Sequence, residues 1–315
     1  MAIVTLSLNP TIDMMSETDV VKPIHKIRTT NENFGPGGGG VNVAKVIVEL
    51  GGSAEVIAAA GGFPGRMLDD LLGRIPVPRR IVPIAGDTRI SFTVFERETG
   101  QEYRFVPTGP TLSAAEIEAC LEAVRRSQCT WFVASGSVPP GAPPDILARV
   151  GEIAAEKGAR FILDSSGPGL TTTLGRVPVY LVKPSLGEME ALVGHRLDGE
   201  AVETAARDLV AAGHAEIVAV TMGVQGAVVV SRDSRFRVFA PKIKAVSALG
   251  AGDAFVGAMT LALADGRPLD DALMLATAAG AATALTPVAR VCSRAEVSRL
   301  YDQVKRENPG ALAGE

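Results

Sequence analysis

The sequence predicts an α/β protein: a three-layer, mostly parallel sheet flanked by helices, with a small β-sheet lid. Three observations carry this. Short apolar runs alternate with amphipathic stretches along nearly the whole chain. The runs are almost continuous Val, Ile and Leu, as in strands buried on both faces. Two polar or alternating segments then interrupt the pattern.

Ile3–Leu8 reads as the first strand, and Val41–Leu50 as a helix stopped by Gly51-Gly52. Glu55–Ala60 reads as a strand and Gly65–Leu72 as a helix. Ser113-Ala-Ala-Glu116 is a capping box opening a helix to about Gln128. Strand Trp131–Ser135, helix Asp145–Lys157 and strand Arg160–Asp164 follow, then strand Tyr180–Lys183 and helices Leu186–Val193 and Ala201–Ala212. Strand Glu216–Thr221 precedes a helical C-terminal third: Ala254–Ala264, Leu269–Leu285 and a helix opened by the capping box Ser293-Arg-Ala-Glu296. The tail after Asn308 is expected to fray. Residues from about 11 to 34 are polar and irregular. Ile90–Glu96 and Glu102–Val106, around Thr99-Gly100, read as a β-hairpin on a half-exposed sheet. The expected division is a core of 1–9, 35–85 and 107–315, with a discontinuous lid of 10–34 and 86–106.

At 315 residues and 47% hydrophobic, the chain can bury a large core, which excludes disorder, collagen and disulfide scaffolds. A net charge of −4 argues against nucleic acid as a partner. Cys120, Cys129 and Cys292 form no C-x-x-C pair, and His25, His195 and His214 are scattered, so no zinc site is read. The N-terminus lacks the basic region of a signal peptide. Ala272–Ala289 carries no charge over 18 residues, but it is Ala- and Thr-rich with Gly280 and Pro287. It is expected to be a buried helix and a loop rather than a membrane span. The expectation is a soluble, cytoplasmic protein with no membrane partner.

Glycine is abundant, at 34 residues, and two clusters stand out. Gly35-Pro-Gly-Gly-Gly-Gly-Val-Asn-Val-Ala44 formally contains G-x-G-x-x-G and runs into a helix. No convincing strand precedes it, and no acid ends the strand Glu55–Ala60, so it is not a dinucleotide fingerprint. No Lys-Ser/Thr follows, which excludes a Walker A loop. Four consecutive residues without Cβ let a ligand lie against the backbone at a helix N-terminus. The second cluster is Leu249-Gly-Ala-Gly-Asp253, before an apolar helix. Its free amides make an anion-binding concavity beside a carboxylate, or equally a turn and a helix cap. The motif alone leaves both open.

Gly37–Ala44 and Gly250–Gly257 closely resemble the two signatures of the ribokinase-like, phosphofructokinase-B family of sugar kinases. Leu8-Asn-Pro-Thr-Ile-Asp13, Ser135-Gly-Ser-Val-Pro-Pro-Gly141, Asp164-Ser-Ser-Gly167, Lys183-Pro184, Thr221-Met-Gly-Val-Gln-Gly226 and Arg290-Val-Cys-Ser293 fall in the family's order. Gly-Gly-Gly-Gly-Val-Asn at 37–42 and Gln101-Glu-Tyr-Arg-Phe-Val106 look most like B-type 6-phosphofructokinases. The related 1-phosphofructokinases and tagatose-6-phosphate kinases usually carry Lys within the first glycine run. They remain the alternatives, with a non-catalytic sugar-phosphate sensor behind them.

The resemblance implies ATP-dependent, in-line phosphoryl transfer to a sugar hydroxyl. It implies Asp253 as the base and the amides of Gly250, Ala251 and Gly252 as the anion hole. On the sugar side it points to Asp13, Asn42, Gly38 and Gly39, with Lys26, Arg89 and Ser137 for the existing phosphate. Lys183, Thr221, Gly223 and Gly226 match ATP-binding positions, and Glu188 the acid that organises Mg²⁺. Ser185 stands where Asn is usual, and Ser185-Leu-Gly-Glu188 is also a good capping box. Ser247 stands where many relatives have Asp, which leaves activation by K⁺ open. The free strand edges of the lid point to a homodimer joined through lid strands.

Overall fold

A computed structural model describes residues 2–286 and 291–309. The first strands are β1 (Ile3–Ser7), β2 (Thr11–Thr18), β3 (Thr30–Gly37), β4 (Ala54–Ala60), β5 (Arg79–Pro83), β6 (Arg89–Glu96) and β7 (Gln101–Phe105). They are followed by β8 (Trp131–Ser135), β9 (Arg160–Asp164), β10 (Leu181–Val182), β11 (Ile217–Thr221), β12 (Ala227–Ser231) and β13 (Arg235–Val238). The helices are α1 (Gly39–Glu49), α2 (Gly62–Leu72), α3 (Ala114–Arg126), α4 (Ile146–Glu156) and α5 (Gly167–Thr171). Then come α6 (Leu186–Val193), α7 (Glu200–Ala211), α8 (Ala251–Ala264), α9 (Leu269–Ala284) and α10 (Arg294–Glu307).

Nine strands form one sheet in the order β13-β12-β11-β10-β9-β8-β1-β4-β5. Every pair from β11 to β5 is parallel, and β12 and β13 turn back antiparallel at one edge. Parallel neighbours require crossover helices, which cover both faces. Alternate residues of each strand therefore serve opposite cores. Val56, Ala58 and Ala60 pack with Val43, Ile47, Met259 and Leu273 of α1, α8 and α9. Ile57 and Ala59 pack with Leu121, Val150, Met189 and Val202 of α3, α4, α6 and α7. This is the three-layer α/β architecture that the strand–helix alternation predicts.

Ser113 and Ser185 carry complete capping boxes. At α10, Ser293 accepts from the Glu296 N–H, but the Glu296 carboxylate pairs with Arg299 instead, so that box is half-formed. α9 is 16 residues long. No helix among the described residues is long and apolar enough to cross a membrane. Pro287, Arg290 and the tail from Gly310 lie outside the described residues.

The remaining strands form a separate sheet in the order β3-β2-β6-β7. β2 and β6 run parallel, and the other two pairs are antiparallel. β6 and β7 are the expected hairpin. β2 and β3 come from the stretch read as irregular, and β3 runs on to Gly37. Thr30-Asn-Glu-Asn33 has little strand preference of its own. It is held against β2 by pairing, Met15 opposite Asn33 and Glu17 opposite Thr30, with a bulge between them where Asn31 takes a left-handed φ of 59°.

α1 is seated directly on β1. A Cβ at Gly40 would lie 2.3 Å from the Leu6 carbonyl oxygen, while the Thr5 hydroxyl donates to the Gly40 carbonyl at 2.8 Å. Gly40→Ala is expected to destabilise the protein by roughly 1–3 kcal/mol through backbone overpacking. An unchanged urea midpoint would show that α1 does not need this close approach.

Candidate active site

The carboxyl ends of the parallel strands meet the N-termini of α1 and α8, where open α/β sheets bind ligands. Gly250 precedes α8 in the left-handed region (φ 75°). The first intrahelical bond runs from Ala254 N to the Gly250 carbonyl at 2.8 Å, and Ala251 N makes only a long bond to Ala248 O at 3.4 Å. The first-turn amides are thus available to an anion. A Cβ at Gly252 would sit 3.6 Å from Lys183 Nζ, which places that ammonium beside the same turn.

Lys183 is buried and pairs with Asp164 Oδ1 at 3.1 Å, while Asp164 Oδ2 accepts from the Ser135 hydroxyl at 2.9 Å. Burial alone would push the Lys183 ammonium down, but the Asp164 carboxylate holds it above its ordinary value. Asp253, in the first turn of α8, accepts from Asn42 Nδ2 at 2.8 Å through Oδ2. Burial, then the nearby Asp164 charge, pushes the Asp253 carboxyl up to about 7, against the Asn42 hydrogen bond and Lys183. A carboxyl so placed is an acceptor for a proton near neutral pH.

Asp13, on β2, is buried and accepts from the Ser91 hydroxyl of β6 at 2.6 Å. Its other oxygen lies where a side chain on Gly37 would be, 2.0 Å from that Cβ position, so the glycine run makes room for this carboxylate. Burial raises the Asp13 pKa, opposed by Ser91, Lys45, Arg89 and Arg104. Gly38 (φ 102°) and Gly39 lead into α1, and a Cβ at Gly39 would strike the Ser135 hydroxyl. The first glycine cluster thus lies between Asp13 and the end of β8.

Arg89 is half-buried and donates to the carbonyls of Asn9 (2.7 Å) and Pro107 (3.0 Å), while its Nε is buried without a partner among the described residues. Asn9 Nδ2 in turn donates to Ser137 Oγ at 3.1 Å. Arg89 and Ser137 are therefore tied together through Asn9. Lys26 is exposed on the connection between β2 and β3, with no ion pair or hydrogen bond among the described residues. The structure does not bring it to the other candidates.

On the opposite flank, Ser185 and Thr221 bridge β10 and β11, with Thr221 N donating to Pro184 O at 3.1 Å. Gly223 opens a short 3₁₀ turn and Gly226 closes it before β12. Ser185 N donates to Glu188 Oε2 at 2.7 Å, so this pair does form the capping box. Glu188 Oε1 accepts no hydrogen bond among the described residues. Ser247 donates to Glu102 of β7 at 2.9 Å and accepts from Leu249 N, which joins the small sheet to the loop before α8.

Four residues of this arrangement carry no role in the sequence reading: Asn9, Lys45, Glu102 and Asp164. Asn9 and Asp164 lie within motifs that mark the resemblance. Lys45 had a local signal, a lone cation three residues after Asn42 on an apolar helix. Glu102 also lies within a motif of the resemblance, but its contact with Ser247 spans 145 positions and has no local signal.

The family model for pfkB carbohydrate kinases matches residues 7–296. The ATP-dependent 6-phosphofructokinase isozyme 2 of Mycobacterium tuberculosis is 42% identical over 303 residues, covering 95% of this chain and 89% of that protein. The enzyme of the same name from Escherichia coli is 38% identical over 306 residues, covering 96% and 99%. A 1-phosphofructokinase from Xanthomonas campestris is 32% identical over 288 residues, covering 90% and 89%. The crystal structure of E. coli phosphofructokinase-2 with fructose-6-phosphate superposes with a TM-score of 0.91 at 38% identity, covering 96% and 99%.

The raised Asp253 pKa has a consequence for stability. The folded protein binds this proton more tightly than the unfolded chain, whose carboxyl titrates near 3.8. The stabilisation is complete below about pH 4 and is lost as pH rises through about 7. Asp253→Asn removes that slope. The variant is expected to gain roughly 1–4 kcal/mol over the wild type at pH 8, and least near pH 5. A difference in Tm that stays constant between pH 5 and pH 8 would show that the carboxyl titrates normally.

Proposed function

This chain is a member of the pfkB family of carbohydrate kinases, and on that premise we propose that it transfers the γ-phosphoryl group of ATP to the 1-hydroxyl of fructose 6-phosphate. The products are fructose 1,6-bisphosphate and ADP. The observation that carries the reading is Asp253: one oxygen held by Asn42, the other without a partner among the described residues, at the mouth of a helix N-terminus. The M. tuberculosis and E. coli relatives, both 6-phosphofructokinases by name, support the choice of sugar.

In this mechanism Asp253 Oδ1 takes the proton of the attacking hydroxyl as its oxygen bonds to the γ-phosphorus. The bond from that phosphorus to the β–γ bridging oxygen breaks, and its electrons leave with ADP. The amides of Gly250, Ala251 and Gly252, with Lys183, receive charge on the transferring group. Asp13 and Asn42 hold sugar hydroxyls, and Gly38 and Gly39 allow the ring to approach the backbone. Arg89 and Ser137 take the 6-phosphate, with the unpartnered Arg89 Nε as a ready donor. Lys26 joins them only when the lid closes over the sugar and excludes water.

Lys183, Thr221, Gly223 and Gly226 cradle the nucleotide beside Ser185. Mg²⁺ usually keeps several waters and takes further ligands from phosphates, so one carboxylate suffices; Glu188, with Oε1 free, fits that need. When bound, the ion neutralises phosphate charge. Ser185 serves Glu188 as a helix cap and leaves it the shorter side chain of the pair. The E. coli relative has been crystallised with potassium. Here K⁺ would have to be held without a carboxylate at position 247, whose hydroxyl is engaged by Glu102. A cytoplasmic location suits these substrates.

The lid also supports a homodimer. Phe34, Met14, Phe92 and Phe105 are register partners across all four strands, and Phe92 and Phe105 stack at 4.6 Å. The three phenylalanines are each 40–50% exposed. Such a row beside free edges suits a second copy of the same sheet.

ADP release measured with fructose 6-phosphate, fructose 1-phosphate, tagatose 6-phosphate and fructose tests the substrate. Fructose 6-phosphate is expected to turn over best, and Asp253→Asn to lower kcat by about 10²–10⁴-fold while binding persists. Turnover of unphosphorylated fructose alone would remove the roles given to Arg89 and Ser137. Saturable binding without ADP would favour a sensor. Separately, light scattering should find a dimer that Phe92→Asp converts to a monomer; a monomeric wild type would end the dimer proposal.

A further inference from the structure

Lys45 lies one turn after Asn42 on α1, half-buried on an otherwise apolar helix. Its ammonium donates to the Pro36 carbonyl at 2.8 Å and to Asn42 Oδ1 at 3.3 Å. Asn42 Nδ2 then donates to Asp253 Oδ2 at 2.8 Å. The direction of this relay follows from chemistry alone. An ammonium has three donors and no acceptor, so the Asn42 atom that faces it must be the carbonyl oxygen. The opposite rotamer would set an NH₂ against the ammonium and a carbonyl oxygen against a carboxylate, two repulsive contacts.

We propose that Lys45 is a positioning residue for phosphoryl transfer: it locks the Asn42 amide as a donor to Asp253 Oδ2 and so reserves Oδ1 for the substrate proton. This rests on Asp253 being the base. The lock matters most once Asp253 carries that proton. An unrestrained Asn42 would then turn its carbonyl oxygen to accept from the neutral carboxyl and hold the proton there. With Lys45 in place Asn42 can only donate, which favours the ionised carboxylate and release of the proton. Lys45 is not required to touch the substrate.

The charges around this relay come from several elements. Lys45 faces Asp13 from β2 and Asp253 from α8. Asp253 also feels Asp164 at the end of β9 and Lys183 after β10. Asp13 feels Arg89 of β6 and Arg104 of β7. Burial takes the Lys45 ammonium down to about 8, against the two carboxylates. The lock would therefore weaken in the wild type as pH rises past that value.

The test measures kcat and KM for fructose 6-phosphate from pH 5.5 to 9.5 in the full-length wild type, Lys45→Met, Lys45→Arg and Asp253→Asn. Lys45→Met is expected to lose roughly tenfold or more in kcat, the worth of one charge-assisted hydrogen bond. KM should change far less, and the acid limb of kcat should move to higher pH. Lys45→Arg should recover most of kcat and abolish the wild-type decline above pH 8, because a guanidinium does not titrate there. If Lys45→Met fails to fold, Lys45→Leu, which likewise has no donor for Asn42 Oδ1, carries the same expectation. An acid limb that stays in place, or an Arg variant as impaired as Met while both bind the sugar, would overturn the proposal. Asp253→Asn distinguishes the two failures. If it is inactive while the Lys45→Met limb is unmoved, only the role of Lys45 falls; if it is fully active, the base assignment falls.

Discussion

The hydrogen bond between Asn42 and Asp253 joins the two halves of the site across 211 positions of sequence. It exists because α1 and α8 pack closely on one face of the large sheet. Gly257 of α8 lies where a Cβ would be 3.0 Å from the Val43 carbonyl and from Val46 of α1. A larger residue there would separate the helices and the two glycine-led N-termini with them. Close backbone packing in the core therefore sets the distance on which the polar chemistry depends.

Around that bond the structure concentrates charge where burial would ordinarily forbid it. Asp13, Asp164, Asp253, Lys45 and Lys183 all sit at the carboxyl edge of the sheet. Each has a named partner: Ser91 for Asp13, Ser135 and Lys183 for Asp164, Asn42 for Asp253, Pro36 and Asn42 for Lys45. Buried charge persists when it is paired and hydrogen-bonded. The cost is an Asp253 carboxyl that prefers its proton, which is the property a base needs near neutral pH.

The small sheet connects to this centre on both flanks. Its Asp13 and Arg89 lie on the side proposed for the sugar, and its Glu102 reaches Ser247 just before α8. One sheet thus contacts both ends of the proposed transfer path. Movement of that sheet would change the surroundings of sugar and phosphoryl group together, which is what a lid must do to exclude water.

The strand–helix alternation, two complete capping boxes and both glycine clusters were legible in the sequence, because each rests on local periodicity or on a few adjacent residues. So were Asp13, Asn42, Lys183 and Asp253, through motifs that resemble a known family. β2 and β3 were not legible, since Thr30-Asn-Glu-Asn33 becomes a strand only by pairing with β2. The contacts of Asp164 and Glu102 escaped for a related reason, since their partners are distant in the chain. The charges that face Lys45 lie on other elements, although its hydrogen-bond partners are near. The sequence by itself determined which segments would be helix or buried strand, and it placed the residues proposed for phosphoryl chemistry within recognisable motifs. Only the tertiary structure decided which carboxylate is pushed up towards neutrality and which cation holds its neighbour, because those depend on burial and on distances that packing alone creates.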